Sequence, residues 1–168
     1  MNREYFGIYY NYKQRIGRQL LGPLLLAVIV ITLILSNHTI ITLAIFWIVI
    51  ILIFGFLIYF ANYNAKEFIY QVRLESEFLT VSGETYNYEW QIEMPISTLK
   101  VQFRYTGSRF KKRYILQFSN SDYKFEINEY ENWSHQKLAE IYEQIKLSKN
   151  EKIIIDEKLT LNNVKELS

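Results

Sequence analysis

The sequence contains no cysteine, which excludes disulfides, thiol catalysis and cysteine-ligated zinc. Its two histidines, His38 and His135, are too few for a histidine-rich metal site. Six isolated glycines and two prolines form no phosphate-binding loop, dinucleotide fingerprint or nucleophile elbow. A formal net charge of +2 excludes a strongly basic nucleic-acid binder. The sharpest absence is local: from Leu20 to Phe60 there is no Asp, Glu, Lys or Arg. All the charge lies outside that stretch, so a composition that is unremarkable on average conceals a strongly segregated chain.

The uncharged stretch divides into Leu20–Leu35 and Thr39–Phe60 around the polar turn Ser36-Asn37-His38. At 1.5 Å per residue the first run covers roughly 24 Å, against ~30 Å for a hydrocarbon core. It reaches that length if the helix starts near Ile16 and Arg18 snorkels. The second run is long enough alone. The expectation is two transmembrane helices, over 20–35 and 39–60. A cleaved signal peptide fits less well, since no small-residue cleavage site follows and a longer apolar run comes next. A hairpin buried inside a soluble protein would need more chain to wrap it than the sequence has. Arg3, Lys13, Arg15 and Arg18 before the first run, and Lys66 and Arg73 after the second, place both termini in the cytoplasm. Arg15, Arg18, Tyr59 and Tyr63 read as anchors at the membrane interface.

Beyond Ala61 the texture changes to short alternating runs. EFIYQVRL (67–74), EFLTV (77–81), TYNYEWQIEM (85–94), LKVQFRY (99–105), KRYILQF (112–118) and DYKFEIN (122–128) read as strands. Ser82-Gly83 and Thr106-Gly107-Ser108 read as turns, and Pro95 as a bend. Leu138, Ile141, Tyr142 and Ile145 then form one stripe of an amphipathic helix, with Asn132 or Ser134 as its N-cap. The expected organisation is a basic and aromatic segment (1–19), the hairpin (20–60), a cytoplasmic module (61–149) and a tail (150–168). Within that tail, 152–155 is either an added strand or mobile.

Antiparallel strands followed by one capping helix describe a pleckstrin-homology (PH)-like domain, a bent mainly-β sheet plugged by its C-terminal helix. A basic N-terminal segment, a tight two-helix hairpin, that strand-then-helix order and the stretch EWQIEMPIS (89–97) together resemble the bacterial YcxB-like membrane proteins. The resemblance covers 9–149. It implies a multi-pass protein of the bacterial inner membrane and a non-enzymatic, membrane-anchored binding or scaffolding module. It carries no catalytic motif and implies no cofactor.

One constellation has chemical content. Alternation puts Lys100, Gln102 and Arg104 on one strand face, Lys111, Arg113 and Gln117 on the same face of the next strand, and Lys124 on the third, with Glu126 as the acid among them. Such a face is either simply solvated or meets anions. The expected partners are the lipid bilayer and a protein or a second copy of the chain, with neither nucleic acid nor a small-molecule substrate. A surface sensor for anionic lipid is the alternative, and a membrane-associated enzyme a third reading. Glu75-Ser76-Glu77 occupies the loop that is basic in phosphoinositide-binding PH domains, so inositide binding is not expected. His38 and His135 read as a turn and a capping residue, and the clustered glutamates as solvated acids rather than a metal site or an acid–base pair.

Overall fold

The computed structural model describes residues 2–35, 42–108, 111–128 and 133–166. The chain runs β1 (Arg3–Phe6), α1 (Tyr12–Leu35), α2 (Thr42–Ala65), β2 (Glu67–Leu74), β3 (Phe78–Thr85), β4 (Tyr88–Pro95), β5 (Lys100–Ser108), β6 (Lys111–Ser119), β7 (Lys124–Asn128), α3 (His135–Ser148) and α4 (Ile155–Glu166). The strands form two antiparallel sheets, in the orders β1-β2-β3-β4 and β5-β6-β7. The residues fall into two units, one of Met1–Tyr9, Phe68–Glu84 and Glu89–Ser168, the other of Tyr10–Glu67 and Thr85–Tyr88.

The first unit holds the sheets, α3 and α4 around one core. On β5 and β6 every second residue points inward: Phe103, Tyr114, Leu116 and Phe118 are buried, and Ile127 joins them from β7. The stripe expected on α3 is fully inside, with Leu138, Ile141, Tyr142 and Ile145 at 0% exposure. Phe103 stacks between Tyr114 and Tyr142 with ring centroids 5.7 and 5.5 Å away, which joins sheet to helix. Trp90 of β4 stacks on Phe125 of β7 at 5.3 Å and ties the two sheets together. Ser134 is the cap: its hydroxyl accepts a bond from the Lys137 amide at 3.3 Å. Asn132 lies outside the described residues.

The N-terminal segment contributes a strand that alternation did not announce. β1 pairs with β2, Tyr5 opposite Val72, and Tyr5 enters the core. The tail likewise folds as α4, with Leu161 and Val164 buried in the same core, in place of a strand or a mobile end. Its first turn is closed by the Ile154 amide donating to Glu157 Oε2 at 3.0 Å.

The second unit is the helix pair with its base. Asn11 and Gln14 cap α1 reciprocally: the Gln14 amide donates to Asn11 Oδ1 at 2.9 Å and the Asn11 amide to Gln14 Oε1 at 3.1 Å. Tyr12 donates to Asn62 Oδ1 at 2.7 Å, tying the start of α1 to the end of α2. The helices pack together, with Ala27 and Ala61 buried.

The expectation of two transmembrane helices is corrected here. Among the described residues no helix is long and apolar enough to cross a membrane. In α1 the opening turns are polar and committed to local bonds, which leaves Leu20–Leu35, roughly 24 Å. In α2 the last turn carries Asn62 and Asn64 and is likewise polar. The α1 stretch falls short of a ~30 Å hydrocarbon core. Residues 36–41, on which the turn and the start of the second expected span depend, lie outside the described residues. A multi-pass inner-membrane location with cytoplasmic termini therefore loses its support. The fold class is a sheet-rich arrangement of two antiparallel sheets and helices rather than a membrane hairpin followed by a PH-like domain.

Two expected turns are also displaced. Ser82 and Gly83 lie within β3, and the reversal comes after Thr85, where Tyr86 adopts a positive φ of 59°. Residues 106–108 belong to β5, with the connection to β6 outside the described residues.

Candidate functional site

Strand pairing brings the basic residues onto one surface. Lys100 stands opposite Ser119, Gln102 opposite Gln117, Arg104 opposite Ile115, and Thr106 opposite Arg113. Ser119 in turn faces Lys124, and Gln117 faces Glu126. Opposed residues share a sheet face, so Lys100, Arg104, Arg113 and Lys124 lie together on the side away from Phe103, Tyr114 and Leu116. Lys111 takes the same register side, opposite Ser108. This is the face the alternation predicted.

The surface is mixed rather than uniformly positive. Arg104 reaches across β6 to Glu126, Nη2 to Oε2 at 3.1 Å. Both are substantially exposed, so the pair contributes little stability, on the order of 0.2–1 kcal/mol, and mainly orients the guanidinium. Lys100 and Lys124 flank Ser119 from either side and remain exposed. Gln117, at the centre of the face, is nearly buried by its neighbours. The result is a three-stranded surface of polar side chains over an aromatic core.

The expected interface anchors divide. Arg15 is only 6% exposed, and its guanidinium donates to the carbonyls of Tyr10 at 3.0 Å and Tyr86 at 2.8 Å. It fastens the base of α1 to the β3–β4 connection. Arg18 lies over the Tyr10 ring, 4.2 Å from its centroid. Tyr59 and Tyr63 stack on each other at 6.5 Å, and both remain 68% exposed.

Three further features escaped the sequence. A groove of about 640 Å³ is lined by Ser76, Glu77, Phe78, Pro95, Ile96, Ser97, Ser148, Lys149 and Glu151. Lys149, which would give it a positive charge, donates to the Leu99 carbonyl at 2.8 Å and pairs with Glu151. On the other sheet, Glu84 is 4% exposed and accepts a short hydrogen bond from Tyr9. Burial pushes the neighbouring Tyr70 phenol up, with Glu89 and Glu84 adding to it. Finally, Glu89, Gln91 and Glu93 are all exposed at alternate positions of β4, an acidic counterpart to the basic face. The alternation of TYNYEWQIEM held that last signal, since the positions between its aromatics are these three. Among the described residues no group of three or more His, Asp or Glu is placed to hold a metal ion. His38 lies outside them, and the His135 ring sits 6.3 Å from that of Tyr114 at the start of α3.

No family model matches the chain, and no curated protein matches it.

Proposed function

We propose that this protein is a non-enzymatic interaction module whose β5–β7 face binds an acidic protein surface. The register of β5, β6 and β7 is the observation that carries the reading, since it gathers Lys100, Arg104, Arg113 and Lys124 on one side of a stiff sheet. These charges are spread over an open plate rather than gathered in a cleft, which suits surface recognition better than bond-breaking chemistry. Glu126 among the cations favours a protein, whose surface carries both signs, over a phosphate-rich one. Glu77 beside the groove, in the Glu75-Ser76-Glu77 loop, repels phosphate and weighs the same way.

The helix pair supports lipid contact as a second partnership. On α2, Trp47, Ile48, Ile51, Leu52, Phe56, Tyr59 and Phe60 are each more than half exposed. At about 100° per residue they spread over roughly 220° of the helix circumference. A protein partner covers one stripe of a helix, whereas acyl chains cover any direction.

The test is crosslinking capture by the full chain in detergent, comparing wild type with Lys100→Glu, Arg113→Glu and Lys124→Glu combined. A labelled poly-glutamate peptide serves as the acidic probe, and vesicles with and without phosphatidylglycerol as the lipid arm. Peptide binding should fall at least tenfold in the variant. Peptide binding that ignores the reversal, or reversal-sensitive binding to anionic vesicles alone, overturns the protein-binding reading.

A further inference from the structure

Two strands of the sheet unit carry matching side-chain triplets of opposite charge. β4 presents Glu89, Gln91 and Glu93, and β5 presents Lys100, Gln102 and Arg104; all six are exposed. In each triplet the charged residues are four positions apart, about 13 Å along a strand, with a glutamine midway. β4 ends one sheet and β5 ends the other, so both triplets lie at the margin of a sheet rather than in its middle. Among the described residues no ion pair within the chain engages Glu89, Glu93 or Lys100. Arg104 holds Glu126 through one nitrogen, and a guanidinium has further donors to offer.

We infer that the acidic surface received by the basic face is the β4 ridge of a second copy of this chain. Laid antiparallel, Glu89 meets Arg104, Gln91 meets Gln102 and Glu93 meets Lys100; laid parallel, the charges also match. Either way two carboxylates meet two cations and the amides of the glutamines bond each other between them. Within one copy the ridge and the face are not joined: β4 and β5 belong to different sheets, and among the described residues no ion pair links the two triplets. The contact joins two different patches: exchanged reciprocally it makes a two-fold dimer, and unreciprocated it continues head-to-tail as a ring or an open chain. This inference rests on the reading of the β5–β7 face as a protein-binding surface.

Charge exchange tests it. The full chain in detergent micelles is followed by sedimentation and crosslinking as wild type, as E89K/E93K, as K100E/R104E, and as an equimolar mixture of the two variants. Each variant alone sets like charges against like and should associate at least tenfold more weakly than wild type. The mixture restores opposite charges at both contacts and should recover association, which misfolded variants could not do. Wild-type association should also fall on the order of tenfold between 50 mM and 500 mM salt, as the screening length shortens. Unchanged association of either variant, or failure of the mixture to recover, overturns the inference. Poly-glutamate binding that is lost in K100E/R104E, without any wild-type self-association, removes the second copy but leaves the protein-binding face. Absence of both removes the two together.

Discussion

Gly83 shows how a single residue type can be read correctly as special and wrongly as to why. In the sequence, Ser82-Gly83 looks like a turn, because turns are where glycine's backbone freedom is most often used. In the structure Gly83 lies inside β3, and space rather than torsion requires it. A Cβ there would stand 2.7 Å from the Phe68 carbonyl oxygen and closer still to the Trp90 ring. Trp90 is itself stacked on Phe125, so it cannot swing away freely. Gly83→Ala should therefore destabilise the sheet unit by about 2–3 kcal/mol, read by chemical denaturation. Gly17→Ala is the control. No atom lies within 4 Å of the added methyl on α1, and helix propensity alone should raise stability by about 1 kcal/mol. Arg15 gives the same lesson from the other side. Its charge suggested a surface anchor, but its burial depends on two backbone carbonyls that no sequence pattern reveals.

At the scale of elements, legibility followed the strength of the local period. The α3 stripe and the β5–β7 alternation were readable because each buries one face against a single core, so position alone decides which residues go inside. α4 was not readable, because among its described residues Leu161 and Val164 alone are buried in the core and most of its remaining sequence is polar. Charge holds it instead. Lys146 pairs with Glu151 at 3.1 Å and Glu157 at 3.3 Å, and Lys149 also pairs with Glu151. The Lys149 ammonium bonded to Glu151 holds that carboxyl below its ordinary range, against a smaller effect of burial and with help from Lys146. Burial pushes the Glu157 carboxyl up, but the Tyr142 phenol, the Ile154 amide and Lys146 outweigh it, and its net position is also lowered. A carboxylate whose folded pKa is depressed contributes stability above its unfolded value and loses it as the pH falls through the folded one. With an ordinary value of 4.5, the contribution is complete at neutral pH and fades below about 4.5. Acidification from pH 6 to 3 should thus lower the hydrogen-exchange protection factors of 155–166, corrected for the intrinsic rate at each pH, before those of α3 are affected. Simultaneous loss of α3 and α4 protection would show that the two are held by packing alone.

At the scale of the whole molecule, the segregation of charge visible in the composition survives as a division into two units with different surfaces. The sheet unit buries most of its large apolar residues, while the helix pair leaves Leu21, Leu25, Ile51, Leu52 and Phe56 more than 60% exposed. The sequence made that apolar character plain but not the length of helix that expresses it, since the polar opening of α1 and the polar close of α2 are tied to one another by Tyr12 and Asn62. A fully buried side chain of this size gains ~1.5–3 kcal/mol over an exposed one. Covering the dozen or so half-exposed apolar residues of the pair would then gain on the order of 10 kcal/mol, too much to leave to water. The surface should accordingly carry amphiphile whenever amphiphile is present. In a temperature-driven detergent phase separation, the wild-type chain should enter the detergent-rich phase. Ile51→Lys with Phe56→Lys gives up the stacking of Phe56 on Phe60 but no buried contact, because both side chains are mostly exposed, and it places two charges in the middle of the apolar surface. That variant should keep its denaturation midpoint in the sheet unit and move at least tenfold toward the aqueous phase. Aqueous partition of the wild type would mean instead that the apolar rows are covered by protein, and a denaturation midpoint that falls with the two lysines would mean that the covering comes from within the chain.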